Sequence, residues 1–272
     1  MITQKLQQLR SIFNDMERAL IAYSGGIDST LVAKIAHDVL GDKSLAVTAE
    51  SPSLMLEDLE AAKYQAEQLG LVRRIVNTHE MENPNYTSNP TNRCYFCKSE
   101  LHDTLKPLAV AEGYPYIVDG LNADDLQDYR PGIQAAKERG VRSPLAEVGL
   151  SKLEVREMSK YLGLPWWDKP SQPCQRSRIP YGEPITVEKL SRVGQCERYL
   201  RQLGVRNLRV RSDGETARIE LPPREIKDFV ATVDLDSLVA AFQEYGFTYV
   251  TLDLEGYKSG KLNRVLEKTV KM

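Results

Sequence analysis

The chain has 272 residues, 42% hydrophobic and 27% charged, which suits one large or two smaller domains, each with room for a core, and excludes a disordered chain. No apolar run approaches the about 18 residues that span a bilayer, and the first ten residues lack the apolar stretch of a secretory leader, so a cytoplasmic protein with no membrane partner is expected. With 36 basic and 38 acidic residues, net charge −2, the chain as a whole does not attract polyanions, and nucleic acid would need a local patch.

Leu6, Leu9, Ile12, Phe13 and Met16 recur at helical spacing, and residues 19–23 then read as a buried strand. Leu31, Val32, Ile35 and Val39 mark a helix stopped near Gly41, followed by a strand over 45–48. A helix over 53–69 ends at Gly70, and a strand follows over 71–76. Next come a helix over 98–111 and a strand over 116–119. Ser151-Lys-Leu-Glu154 is a capping-box pattern that opens a helix ending near Leu162. Repeated βα units predict an α/β fold with a parallel sheet covered on both faces, over residues 1–165. Residues 166–184, rich in proline with Trp166 and Trp167 at their start, read as an ordered functional loop and domain junction. Over 185–272 the pattern is a helix at 187–203, a hairpin around Asp213-Gly214, helices at 224–229 and 236–245, and a strand at 248–252, a smaller α+β domain.

Directly after the first strand stands Ser24-Gly-Gly-Ile-Asp-Ser-Thr30, with a helix beginning inside it. Glycines let the backbone approach a phosphate, and the unpaired N–H groups of the helix start attract the anion. Ser24, Ser29 and Thr30 add hydroxyls, and Asp28 can orient magnesium or a donor. A serine-capped Gly-Gly turn is the plainer alternative. No Gly-Lys-Ser/Thr follows, so this is not a Walker A loop. The stretch resembles the SGGxDS signature of the PP-loop ATP pyrophosphatases, which implies an adenine nucleotide alpha hydrolase-like domain that cleaves ATP between its α- and β-phosphates. Ser24, Gly25, Gly26, Asp28, Ser29 and Thr30 are the expected ATP-binding residues. Asp119, Gly120 and Asn122 follow a strand, at the sheet edge where open α/β folds bind ligands, so Gly120 joins them; a bare loop tip is the alternative.

Cys94 and Cys97 form a CxxC, and Cys174 lies in Lys169-Pro-Ser-Gln-Pro-Cys-Gln-Arg-Ser-Arg-Ile-Pro-Tyr-Gly182. A pair plus one distant cysteine suits three thiolate bonds to a metal centre with an open position. A structural zinc completed by Cys196 or a histidine, a redox dithiol and plain core thiols remain alternatives. Cys196 falls within a helix, as a small hydrophobe would. His37, His79 and His102 are too scattered for a ligand set. Arg209 and Arg211 alternate with Leu208 and Val210, so on a strand both guanidinium groups share a face and could grip a phosphate, with Ser177 and Arg178 close behind Cys174. A solvated arginine pair is the alternative.

Together with Asp119-Gly-Leu-Asn-Ala-Asp-Asp125, Asp128-Tyr-Arg-Pro-Gly132, Arg142-Ser-Pro-Leu145, Leu208-Arg-Val-Arg211 and Lys258-Ser-Gly260, these stretches resemble the LarE family over nearly the whole chain. The resemblance implies an ATP- and magnesium-dependent sulfur insertase that turns carboxylates of a pyridinium biscarboxylate mononucleotide into thiocarboxylates, on the way to the nickel-pincer cofactor of lactate racemase. In the kind of LarE that sacrifices its own sulfur, the donor cysteine sits four residues before the Ser-Arg matched by Ser177-Arg178. Pro173 stands there, Cys174 follows it, and the CxxC is extra, so the chain resembles the kind whose three cysteines hold a [4Fe-4S] cluster. The resemblance assigns Cys94, Cys97 and Cys174 to the metal and Arg209 and Arg211 to substrate phosphate, which Ser177 and Arg178 follow Cys174 closely enough to join. It assigns Glu197 and Asp228, with Asp28 and Cys174, to catalysis; as lone acids, the first two could equally be helix-surface charges. A mononucleotide substrate, a sulfide donor and self-association into a homo-oligomer are expected. A tRNA thiolase using the same steps and an adenine-nucleotide-binding redox sensor are the rival readings.

Overall fold

A computed structural model describes residues 2–127, 131–170, 174–258 and 260–264. Asp128, Tyr129, Arg130, Ser171, Gln172, Pro173 and Ser259 from the motifs above lie outside the described residues. In chain order the elements are α1 (Ile2–Met16), β1 (Ala19–Ala22), α2 (Ile27–Leu40), β2 (Ser44–Glu50), α3 (Leu56–Gln68), β3 (Arg73–Asn77), α4 (Pro84–Thr87), α5 (Arg93–Ala111), β4 (Tyr116–Val118), α6 (Pro131–Glu138), α7 (Pro144–Glu147), α8 (Lys152–Tyr161), α9 (Val187–Gln202), β5 (Arg209–Asp213), β6 (Thr216–Glu220), α10 (Ile226–Thr232), α11 (Leu235–Glu244) and β7 (Tyr249–Leu252). Two compact units result, one of Met1–Asn83 and Asn92–Gln172, the other of Pro84–Thr91 and Pro173–Met272.

The first unit carries a parallel sheet in the order β3-β2-β1-β4. Alternation along β1 decides what covers each face. Ala19 and Ile21 pack with Leu9 and Phe13 of α1, Leu31 and Ile35 of α2 and Val155 of α8. Leu20 points the other way, to Leu45, Val47 and to Leu105 and Ala109 of α5. A sheet buried on both sides is the α/β architecture that the βα repeats predict. The capping box forms at the start of α8, where Ser151 and Glu154 each accept the other's backbone N–H, and Lys5 of α1 holds Glu154 at 2.6 Å.

Helix α5 differs from its expected start near residue 98, beginning at Arg93. Its first turns therefore contain the CxxC, and the i,i+3 spacing sets Cys94 and Cys97 on neighbouring positions of one face. The short helices α6 and α7 have no counterpart in the sequence reading. Each opens on a proline, which suits a first helical position, but four to eight residues are too few to show a helical period.

The second unit folds around β5-β6-β7, with β5 and β6 antiparallel and β6 and β7 parallel. The hairpin loop is Gly214-Glu215, with Gly214 at φ +58° as a tight turn requires. Val193, Cys196 and Leu200 of α9 and Phe242 of α11 pack with Val210, Ala217 and Ile219 of the sheet. Residues 84–91 join this unit because Asn89, fully buried, donates its amide to the carbonyls of Pro180 at 2.6 Å and Glu183 at 2.8 Å.

Candidate active site

The chain leaves β1 and turns through Gly25, at φ +67°, into α2. A Cβ at Gly25 would stand 2.8 Å from the Cα and Cβ of Ala62, so glycine is required by both conformation and space. The hydroxyls of Ser24 and Ser29 meet at 3.1 Å, Ser29 donates to the Gly26 carbonyl at 3.0 Å, and the Ser24 N–H donates to Ser29 Oγ at 3.2 Å. Thr30 bonds instead to the buried Gln65, at 3.2 Å, which fixes α2 against α3. The fourteen-residue α2 has Gly26 as its N-cap with no capping side chain, so the N–H groups of its first turn face the loop mouth as anion donors.

Gly120, after β4, touches this loop directly: a Cβ there would meet Ser29 N at 2.7 Å and the Asp28 carbonyl carbon at 3.0 Å. Asn122, also buried, donates its amide to Asp28 Oδ1 at 3.3 Å. Asp119 accepts from the Ser143 hydroxyl at 2.7 Å and the Leu121 N–H at 3.2 Å. Two residues that the sequence reading passed over complete the surroundings. Lys152 forms an ion pair with Asp28 Oδ2, and Lys169 donates to the Gly25 carbonyl at 3.2 Å. Burial pushes the Lys169 pKa below its ordinary value, partly offset by Asp58.

Cys94 and Cys97 are half-buried on α5, and Cys174 is half-buried just before the 3₁₀ turn Gln175–Arg178. Cys196 is buried, and burial with the adjacent Glu197 pushes its thiol up to about 12, so it stays protonated. Among the described residues, no three His, Cys, Asp or Glu side chains are arranged around one metal ion. His102 is 1% exposed, and burial, aided by Lys98 and Arg139, lowers its pKa to about 3. His79 is exposed beside Glu82.

In the second unit, Arg178, Glu197, Arg209 and Arg211 come together, and all are buried. Glu197 accepts Arg178 Nε at 2.7 Å and Nη2 at 3.0 Å, Arg201 at 3.1 Å and the Val210 N–H at 3.1 Å. Burial pushes the Glu197 pKa up, but Arg178, the N–H and Arg201 outweigh it and hold the carboxyl below its ordinary value. A fully buried, three-ways-paired acid is not the helix-surface charge that a lone Glu suggests. Arg211 donates twice to Glu220 Oε2, at 3.0 and 2.7 Å, and once to the Ser177 carbonyl at 2.6 Å. Arg209 lies over Tyr257 at 5.0 Å and donates to the Leu208 carbonyl at 2.6 Å. Burial, then Arg178, lower its pKa to about 10. The two arginines are each 6% exposed, so the solvated-pair reading fails. An open fork is also not what stands there, since Arg211 is already committed to Glu220. Arg178 Nη1 donates to Ser177 Oγ at 2.9 Å, which brings Ser177 into the cluster. Asp228 is exposed in the first turn of α10, and among the described contacts its carboxylate has none with this cluster. Gln175 is buried against α9, where Gly194 leaves room for its amide, and Arg176 lies over Tyr86 at 5.6 Å. Trp166 packs edge-on against Tyr64, and Lys160 sits over Trp167.

The NAD synthase family profile matches residues 2–92, the segment that carries the phosphate loop. An uncharacterized protein of Synechocystis is 66% identical over 268 residues, covering 98% of this chain and all of that one. The pyridinium-3,5-bisthiocarboxylic acid mononucleotide synthase of Lactiplantibacillus plantarum is 38% identical over 268 residues, covering 98% of this chain and 96% of its own. An uncharacterized protein of Methanocaldococcus jannaschii is 28% identical over 89% of this chain and 92% of its own. Similarity to the synthase from end to end, with the SGGxDS loop built between a parallel strand and its helix, shows that the chain belongs to the LarE family of PP-loop enzymes, ATP-dependent sulfurtransferases.

Proposed function

We propose that this enzyme adenylates a carboxylate of pyridinium-3,5-biscarboxylate mononucleotide and replaces an oxygen of that carboxylate by sulfur. The observation that carries the reading is the phosphate loop with its bare helix start, in a chain alike throughout to a bisthiocarboxylic acid mononucleotide synthase. A carboxylate oxygen attacks the α-phosphorus of ATP, the bond to the β-phosphate oxygen breaks, and pyrophosphate leaves. A sulfur nucleophile then attacks the acyl carbon, the bond to the AMP oxygen breaks, and a thiocarboxylate remains. Ser24, Gly25, Gly26, Ser29, Thr30 and Gly120 shape the ATP site, where loop N–H groups stabilise charge gathering on pyrophosphate. Asp28 has the chemistry to hold magnesium there.

Three arginines at most 6% exposed stand with two carboxylates, Glu197 and Glu220, at most 1% exposed. That cationic excess supports the assignment of Ser177, Arg178, Arg209 and Arg211 to the substrate phosphate, with Glu197 orienting Arg178. Asp228 is assigned with them by family resemblance alone. Cys94, Cys97 and Cys174 are the thiolates that would hold a [4Fe-4S] cluster, which supplies sulfur when bound; half-burial, the CxxC on one helix face and the resemblance support this assignment.

Asp28→Asn is expected to stop substrate-dependent pyrophosphate release. Cys94→Ala, Cys97→Ala and Cys174→Ala are expected to keep that release but lose sulfur transfer and iron, while Cys196→Ala keeps all three. Pyrophosphate, thiocarboxylate and iron measured on the same anaerobic preparations check this. Iron retained in all three cysteine variants contradicts the cluster assignment, and zinc lost equally with Cys196 makes the centre structural.

A further inference from the structure

The phosphate loop from Ser24 to Thr30 holds no cation and one carboxylate, Asp28. A nucleotide triphosphate reaching it brings several negative charges to a site that is itself negative, and helix-start N–H groups offset only about half a charge. Walker A loops solve this with a lysine inside the motif, and this loop has none. Two lysines stand at it from elsewhere in the first unit. Lys152, at the start of α8, pairs with Asp28 Oδ2 and is 31% exposed. Lys169 reaches the carbonyl of Gly25.

Both are delivered by one helix. The N–H of Lys152 donates to Asp124 Oδ2 at 2.8 Å, and the capping box and Lys5 fix the start of α8. Four residues on, and so on the same face, Arg156 donates to the carbonyls of Trp167 at 3.1 Å and Lys169 at 3.0 Å. Those two bonds hold the backbone from which the Lys169 side chain extends to Gly25.

We propose that Lys152 and Lys169 are the cations that receive the polyphosphate beyond the α-phosphorus, and that Arg156 is the positioning residue for Lys169. Lys152 serves as a stand-in counter-ion for Asp28: when the triphosphate arrives, the ammonium turns to phosphate oxygen, which would free the carboxylate to hold magnesium. Lys169 exchanges a carbonyl for a phosphate in the same way, a gain because its half-buried ammonium otherwise bonds a neutral carbonyl and has Asp58 as the acid acting on it. Neither move breaks a covalent bond. This assignment rests on the ATP-site reading above.

The test is equilibrium binding of ATP and AMP, with magnesium, to wild type, Lys152→Ala, Lys169→Ala, Arg156→Ala and the double variants Arg156→Ala/Lys169→Ala and Arg156→Ala/Lys152→Ala. Circular dichroism and a denaturant midpoint check that each is folded. Wild type prefers ATP, and each lysine variant is expected to bind ATP about tenfold or more weakly, the size of one charge-assisted bond, with AMP affinity little changed. Arg156→Ala weakens ATP binding alone or beside Lys152→Ala, but adds nothing to Lys169→Ala, and Arg156→Lys restores part of the loss. A merely structural role for Arg156 would instead lower affinity in every background and for AMP as well. If wild type prefers ATP and folded lysine variants keep that preference, the lysine assignment is overturned while the ATP site stands. If wild type binds neither nucleotide, the ATP-site reading itself fails.

Discussion

Gly120→Ala is expected to lower substrate-dependent pyrophosphate release by about a hundredfold or more, the cost of moving reacting groups by about 1 Å. The added methyl would stand 2.7 Å from Ser29 N and 3.0 Å from both the Asp28 carbonyl carbon and Ser29 Cα. All three are backbone atoms in the first turn of α2, so no side chain can swing aside. The loop after β4 and the phosphate loop must separate, which also withdraws Asn122 from Asp28. Separation costs about 1–3 kcal/mol of stability, the range for overpacking, and the unit remains folded. Pyrophosphate release measured beside a denaturant midpoint checks both parts. Wild-type release from a folded variant means the contact is not needed for catalysis.

The second large effect lies in the other unit. Glu197→Gln removes the charge that faces the buried Arg178, and breaking a buried pair from one side costs about 3–5 kcal/mol. Glutamine retains an acceptor for the Val210 N–H, so lost charge rather than lost shape is what the variant reports. The pH dependence has a definite sign. The folded-state pKa of Glu197 lies below its ordinary value, so its contribution to stability is present above the unfolded-state pKa of about 4.3 and is lost as pH falls through the folded-state value. Denaturant midpoints should therefore differ most between wild type and variant at neutral pH and converge in acid. A gap that stays constant with pH means that Glu197 does not act as a charge. Because the same carboxylate orients Arg178, substrate affinity should fall as well.

The phosphate loop was legible because its residues are contiguous: strand, glycines, hydroxyls and helix follow one another within a dozen positions, and local physics fixes their use. Lys152 and Lys169 were not, since their contacts join residues 124 and 144 positions apart and a lysine that opens a helix reads as a surface charge. On β5 the period of two put Arg209 and Arg211 on one face, as expected. The burial of Arg211 depended on Glu220, which lies opposite Arg209 in the hairpin register and reaches Arg211 diagonally, and Arg209 lies over the distant Tyr257. A charged residue beside Leu221 gave no sign of facing inward. The parallel sheet could be read from repeated βα units, whereas the start of α5 could not, because Arg-Cys-Tyr-Phe-Cys carries no apolar period from which to extend the helix.

Product analysis decides whether this enzyme inserts sulfur. Wild-type protein, prepared without oxygen, is incubated with ATP, magnesium, inorganic sulfide and pyridinium-3,5-biscarboxylate mononucleotide, and the mononucleotide is examined by mass spectrometry while AMP and pyrophosphate are counted. Sulfur insertion predicts a mononucleotide whose mass has changed by the exchange of oxygen for sulfur, with one AMP and one pyrophosphate formed per exchange. An unchanged mononucleotide and no AMP above a substrate-free control would contradict it.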